Sequence, residues 1–543
     1  MDRSDGNRGL LSGAAALDRR QFLRGIAAGG AAVGAGGLIA ACTSSSPSST
    51  SGARTTSKTP KRGGNLKVGL AGSDGADTLD PHNQVTYLDG ARALALYESL
   101  AQLNNQAQME LVLAEEITAN TSTEWIIRLR QGVTFHDGKP LTAQDVIYTF
   151  RRIKTGNNGG PFPGGNSLGP MDLNGLKALD SRTVKVPFTS PFATFYDQLS
   201  YWYFQEILPD GFDPAAKNAT PNGTGPFMYK SFTPEQRSVF VRNPNYWKSG
   251  QPYVDTLTII DFPDTTSLQD ALTTGVIDAA GGFDGPQLAT LGTVSGVKTL
   301  ASHTGAITPF TMRVDKPPFN DVNVRQAMRW LVDRPQLIDS ALDGYGVVAS
   351  DVFSPYDPDF DTSLHREQDI PQAKFLLKKA GLEDLTVTLV TSAAATGMVA
   401  MATVLAEQAK AAGVTITLNN VSPSTFFGPN NYLKSTFSQD YYGYSPYLAQ
   451  VAQSMLSGSP FNETHTNSTT LNSLYEKANR TLDKPTLKQI VQEMQVYDFN
   501  NGGYIIPAFI DSLDAYSVKI TGYSAAAAGQ PLSNFDFQNW YFV

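Results

Sequence analysis

Between Trp125 and Phe150 the spacing of apolar residues changes period twice. Trp125, Ile127 and Leu129 alternate with Ile126, Arg128 and Arg130, the two-residue period of a half-buried strand. Gly132 interrupts the run, Val133 and Phe135 resume it, and Asp137-Gly138 followed by Lys139-Pro140 carries turn chemistry. Thr142 stands three residues before Asp145, a capping-box spacing with Asp in place of Glu. The helix opened there carries Val146 and Phe150 four apart on one face. The pattern predicts strand, turn and capped helix.

The same two periods alternate along the chain. Strand-like runs at Gly63–Leu70, Leu257–Phe262 and Thr386–Thr391 interleave with helix-like runs at Ala91–Leu103, Ser267–Thr274 and Ala402–Ala411. That mixture predicts an α/β architecture. At 543 residues the chain exceeds one ordinary core, so two or three domains are expected. Its 41% hydrophobic content predicts a folded body. With 22 Tyr and 28 Phe against 17% charged residues, aromatic rings line either its surfaces or its cores.

The first residues read as an address. Asp18-Arg19-Arg20-Gln21-Phe22-Leu23-Arg24 resembles a twin-arginine export motif, and a Gly/Ala-rich apolar run, Gly25–Ala41, follows it. Ile39-Ala40-Ala41-Cys42 resembles a lipobox, which makes Cys42 the acylated residue. Residues 1–42 are expected to be a lipoprotein signal, against the alternative of a disordered basic tail. Cys42 is the single cysteine, so no intramolecular disulfide and no Cys-based metal site can form. Residues 43–62, rich in Ser, Thr and Pro, read as a flexible tether. Removing residues 1–41 takes away five Arg and three Asp and carries the formal charge from −8 to −10. Nucleic acid is therefore not an expected partner, because its phosphates require a basic patch. The localisation expected is the outer face of the cell membrane, with acyl chains on Cys42 as the anchor.

Catalytic and metal motifs are poorly supplied. Gly165-Asn166-Ser167-Leu168-Gly169 matches the G-x-S-x-G pattern, but Pro161, Pro163 and Pro170 frame it, so the strand and helix of a nucleophile elbow are not expected. The histidines, His82, His136, His303, His365 and His465, are widely spaced, without H-E-x-x-H, and no metal is expected. No motif marks a pair among the 50 acids for glycosidase chemistry. No Walker motif is present and no cofactor is implied, so any ATP use belongs to a partner.

Several blocks together carry a family resemblance. TLDPH (78–82) and LYESLAQLN (96–104) precede RLRQGVTFHDGKPLTAQDVIYTF (128–150). Thr224-Gly225-Pro226-Phe227, RNPNYW (242–247), PFNDVNVRQA (318–327), AKFLLKKAGL (373–382) and Tyr504-Ile505-Ile506-Pro507 follow in order. From residue 63 onwards the chain resembles the extracytoplasmic solute-binding proteins of ABC transporters, family 5, the oligopeptide/dipeptide/nickel-binding type. The resemblance implies an α/β, two-lobed, periplasmic-binding-protein-like (type II) fold with an additional third domain. It implies domain I at 63–105, 222–304 and 507–543, domain II at 106–221 and domain III at 305–506. The chain would cross twice between lobes, making those crossings a hinge. His136, in the FHDG turn, is then a structural residue.

The implied function is capture of a small solute, most simply a peptide, with oligosaccharide as the alternative. The receptor, a monomer, would deliver its solute to an ABC permease served by a separate ATPase. A secreted hydrolase on the same fold, and a non-transporting sensor or adhesion lipoprotein, are the rival classes. In peptide-binding members a domain III carboxylate holds the peptide amine, within a segment resembling YD-x-x-x-x-GW-x-x-DYPDP. Here that segment is Phe437–Tyr447, with Gly443 and Tyr444 at the Gly-Trp position and Ser445-Pro446-Tyr447-Leu448 where acids would follow. Asp440 could substitute for the missing acids if it faces the cleft. Tyr442, Tyr444 and Tyr447 offer flat faces and hydroxyls for a sugar or an aromatic side chain, or pack in a core. Phe426 and Phe427 could line the same wall or the core. Arg313 occupies a position where the family commonly has Asn, and could pair with a ligand carboxylate or form a local salt bridge.

Overall fold

The computed structural model describes residues 60–72, 77–156, 160–199, 204–216 and 219–543. Arg19, Arg20, Cys42 and nearly all of the tether lie outside the described residues. No helix among the described residues is long and apolar enough to cross a membrane.

The strand Asn65–Ala71 sits inside an eight-stranded sheet. Leu66, Val68 and Leu70 are buried because alternate residues face one side of the pleat. It pairs in parallel with Thr256–Phe262 and with Ala279–Gly281. The antiparallel strands Val297–Ile307 and Ala508–Ser517 extend one side, with Gly346–Val348 also paired to the latter, and Arg237–Arg242 and Phe227–Thr233 extend the other. Leu257, Ile259, Phe227, Phe240 and Trp540 complete this large-sheet core.

A second body is built on a four-stranded antiparallel sheet of residues 114–121, 124–129, 183–187 and 177–178. Trp125, Ile127 and Leu129 are buried and Arg128 is exposed, as the alternation predicts. The helix Ala143–Thr155 lays Val146 and Phe150 into the same core. Asp145 Oδ2 accepts from the Thr142 backbone N–H and from the Thr142 hydroxyl, both at 2.7 Å, which satisfies the helix entry.

The third, mostly helical body holds two small sheets. One orders Phe437–Gln439, Phe310–Met312 and Tyr504–Ile505; the other pairs Thr386–Thr391 in parallel with Thr415–Asn420. The VRQA block opens the helix Val322–Trp330, where its polar side chains cap another helix. Arg325, Gln326 and Arg329 donate to carbonyls of residues 498–501, the last turn of Lys484–Asn501. Asp351 is buried against Arg334 and Arg366. Burial alone would raise its carboxyl, but Arg334, Arg329 and Arg366 outweigh that and hold it below the usual range.

Motif residues far apart in sequence meet at one buried carboxylate. Glu98 accepts from the Tyr246 hydroxyl at 2.7 Å, the Thr224 hydroxyl at 2.9 Å and Trp247 Nε1 at 2.9 Å. The LYESL, GTGPF and RNPNYW blocks are thereby tied into one clamp. Gly225 is required there, since a Cβ would lie 2.5 Å from the Leu96 carbonyl carbon. The FHDG turn locks onto the same segment: Gly223 N–H donates to His136 Nδ1 at 3.3 Å, leaving Nε2–H to donate to Gly225 O at 3.1 Å. Burial pushes the His136 pKa down to about 4, keeping the ring neutral. The Ser167 hydroxyl donates to Gly164 O and accepts from Gln205, within a turn that follows the short 3-10 segment Pro163–Gly165.

Candidate functional site

The chain leaves the large sheet at Ile307, touches it again at Gly346–Val348, which pairs with Ala508–Ile510, and rejoins it at Ala508; the candidate site gathers beside the first crossing. Tyr442 and Ile307 exchange both backbone hydrogen bonds at 2.9 Å. This fixes the segment after Phe437–Gln439 against the crossing strand. Asp440, at that strand's end, is 0% exposed and accepts from the Tyr432 hydroxyl at 3.3 Å. The same hydroxyl lies 3.5 Å from Glu463 Oε1. Glu463, 5% exposed, also accepts from Tyr504 at 2.6 Å and from the Tyr442 hydroxyl. Two buried carboxylates thus share a cage of tyrosine hydroxyls.

Phe427 continues this wall, with its ring 5.4 Å from Tyr432 and 6.2 Å from Tyr441, and Phe426 packs edge-on behind it at 4.8 Å. Among the residues singled out from sequence, Asp440, Tyr442, Phe426 and Phe427 therefore come together. Tyr444 sits apart, against Gly305 of the crossing strand and edge-on to Tyr356 at 5.8 Å. Its hydroxyl is buried, which raises its pKa. Tyr447 is 0% exposed, opens the helix Tyr447–Ser454 and packs in the core with Val451 and Met494. Arg313 forks onto Asp315, Nε to Oδ1 at 2.9 Å and Nη2 to Oδ2 at 2.6 Å. Glu463 and Tyr432 are partners that sequence reading missed and no local motif marks; Tyr504 stands in the YIIP block, which carries no sign of this contact.

A seam closes the second body onto the third. Asn479 accepts the Ala193 N–H on its backbone carbonyl at 2.8 Å and the Thr194 hydroxyl on Oδ1 at 2.7 Å. Asp197, on the same short segment, faces Asp357 and Asp359 from the third body. Burial first, and those two carboxylates second, push its pKa up to about 7, with Lys484 opposing. Asp357 itself accepts the Tyr447 N–H at 2.7 Å. Among the described residues no cluster of His, Cys, Asp and Glu could hold a metal ion.

The mixed α/β chain builds three bodies, with a hydrogen-bonded seam between the second and the third. Residues 108–473 match the family model described as bacterial extracellular solute-binding proteins, family 5 Middle, and the chain belongs to that family. The glutathione-binding protein GsiB of Escherichia coli O6:K15:H31 (strain 536 / UPEC) is 27% identical over 307 residues, 56% of this chain and 59% of the relative. GsiB of Salmonella typhi is 27% identical over 310 residues, 56% of this chain and 60% of the relative. The match thus spans about three fifths of these curated relatives. Among solved structures, the ABC transporter substrate-binding protein CtaP of Listeria monocytogenes superposes with a TM-score of 0.77 at 22% identity, covering 89% of this chain and all of that one. The oligopeptide-binding protein AppA of Bacillus subtilis, solved with a nonapeptide, gives 0.70 at 20% identity over 89% of this chain and 100% of that chain. The fold is the type II periplasmic-binding-protein fold with a third domain. The relatives are solute-binding proteins, not enzymes.

Proposed function

We propose that the chain is a lipid-anchored receptor that captures a peptide or another amine-bearing solute outside the cell and hands it to an ABC permease. The observation that carries this reading is the Asp440–Glu463 pair: two buried carboxylates within hydrogen-bond reach of one tyrosine hydroxyl, beside the interlobe crossing. Carboxylates in such a setting favour a cationic or N–H-donating group. Asp440 would take the role of the acids missing after Gly443, with Tyr442 and Phe427 beside the solute. In this reading domains I and II (63–304 and 507–543) form one lobe and domain III (305–506) the other. Contacts made by both lobes exist only in the closed form, so solute shifts the population towards closure. Acyl chains on Cys42 hold the monomeric receptor at the membrane, and a separate ATPase drives the permease.

A second reading, oligosaccharide capture, is favoured by the rings of Tyr432, Tyr441 and Phe427 along the same wall. Titration calorimetry of the full chain in detergent separates the two. Free-amine peptides are expected to bind, and the same peptides N-acetylated to bind about tenfold or more weakly. Equal affinities would remove the amine from the reading, and heat only with oligosaccharides would replace it.

A further inference from the structure

A pocket of about 320 Å³ lies in the large-sheet body, where its lining residue Leu103 packs with Tyr444. It opens between the turn after the strand Ala101–Leu103, the Tyr246–Gln251 loop and the C-terminal stretch Ser524–Asn539. None of its lining residues belongs to the carboxylate cage.

The polar lining is dominated by amides and carboxylates. Gln102 Nε2 donates to Glu110 Oε1 at 3.3 Å and Asn105 Nδ2 to Ser524 Oγ at 2.9 Å, each amide keeping a second N–H and a carbonyl oxygen, and Lys248 is the lone cation among the lining residues. Gln251 donates through Nε2 to Asn539, while its Oε1 is buried without a hydrogen-bond partner. An orphaned buried acceptor costs about 1–3 kcal/mol, so the Gln251 amide is an unsatisfied point in the pocket wall. Asp536 is gripped by Asn539 and Gln538, so one wall of the pocket is a preformed amide–carboxylate lattice.

Its backbone is held in an unusual state. Leu532, Ser533, Asn534 and Phe535 have φ of 55°, 55°, 61° and 58°, four successive non-glycine residues in the left-handed region. Each such residue costs about 1–2 kcal/mol, and such strain gathers at functional sites. Leu532 N–H donates to the buried Asp514 Oδ2 at 3.0 Å, and Asn534 Nδ2 to Leu103 O at 3.2 Å. These bonds hold Asn534 and Phe535 at the pocket edge, where Phe535 and Tyr246 add apolar surface.

The chemistry selects the occupant. Glu98, Glu110 and Asp536 outnumber Lys248, which disfavours an anion. Side-chain amides, which donate and accept, suit hydroxyls, which do both. The volume sits at the lower end of small-molecule sites, about 300–1,000 Å³. We infer that this pocket is a second binding site, for a neutral hydroxyl-rich molecule of monosaccharide to disaccharide size, independent of the solute held between the lobes.

The test uses the full chain in detergent with glucose, galactose, maltose and trehalose, each followed by saturation-transfer NMR at millimolar concentration. At least one saccharide is expected to give transfer, to weaken about tenfold in Gln251→Leu, and to bind unchanged in Asp440→Asn. If Gln251→Leu does not fold, Asn105→Leu puts the same question at a half-exposed turn position. No transfer with any of the four, or binding lost in Asp440→Asn but kept in both pocket variants, overturns the inference. The second outcome would move the saccharide to the interlobe site, whereas failure of peptide binding there leaves this pocket untouched.

Discussion

The Thr194 hydroxyl donates to Asn479 Oδ1 at 2.7 Å, and through that bond the second body grips the third. The adjacent backbone bond from Ala193 to Asn479 survives loss of the side chain. Asn479→Ala should therefore weaken the seam without abolishing it. One net hydrogen bond is worth about 0.5–1.5 kcal/mol, so solute release should quicken about two- to tenfold. Stopped-flow dissociation of a fluorescent peptide reads the change, and an unaltered off-rate would separate this contact from closure.

Asp197 gives the same seam a pH dependence of known sign. Its folded pKa is raised from 3.8 to about 7, so the folded form favours the protonated carboxyl. That contribution is fully present below pH 3.8 and is lost as pH rises through 7. Asp357, Asp359 and Lys484 face it from the third body. Relative to Asp197→Asn, the wild type should lose thermal stability between pH 5 and pH 8. Parallel Tm-versus-pH curves for the two proteins would contradict this.

His82 behaves oppositely. Burial pushes its pKa from 6.5 down to about 4, where its Nε2 meets Glu206 O at 2.8 Å. The stability it contributes is present above pH 6.5 and lost as pH falls through 4. His82→Gln should flatten the acid side of the Tm profile, as differential scanning calorimetry would show.

Glu98 should matter to folding rather than to solute. Glu98→Ala strands donors from Thr224, Tyr246 and Trp247. At about 1–3 kcal/mol for each buried unsatisfied donor, the loss should lower Tm by several degrees. Peptide affinity of the folded fraction should be unchanged, and a selective affinity loss would place Glu98 in the binding machinery instead.

Local pattern carried the fold far. The strand, turn and capped helix of Trp125–Phe150 stand as their periods indicate, because each depends on neighbours in sequence. The helix start is the instructive detail: Asp145 reaches back to Thr142 as Glu would from the same position. The carboxylate cage was half legible. Asp440 and Tyr442 lie on the segment that departs from the family pattern, but Glu463 and Tyr504 reach them only through folding of the third body. Tyr447 and Arg313 show why residue type alone is insufficient. A tyrosine opening a helix can turn wholly into its core, and Asp315, two residues from Arg313, engages that guanidinium. Glu98 shows what unites motifs that sequence presents as separate words.

Native mass spectrometry of the full chain, released gently from detergent, asks whether solute is captured between the lobes at Asp440 and Glu463. The expected spectrum shows discrete amine-bearing adducts that disappear on unfolding. In Asp440→Asn they should weaken by about 10–100-fold in occupancy-derived affinity, the worth of a charge-assisted hydrogen bond of about 1.5–3 kcal/mol. Adducts of equal occupancy in wild type and Asp440→Asn, or none in either after incubation with free-amine peptides, would contradict it.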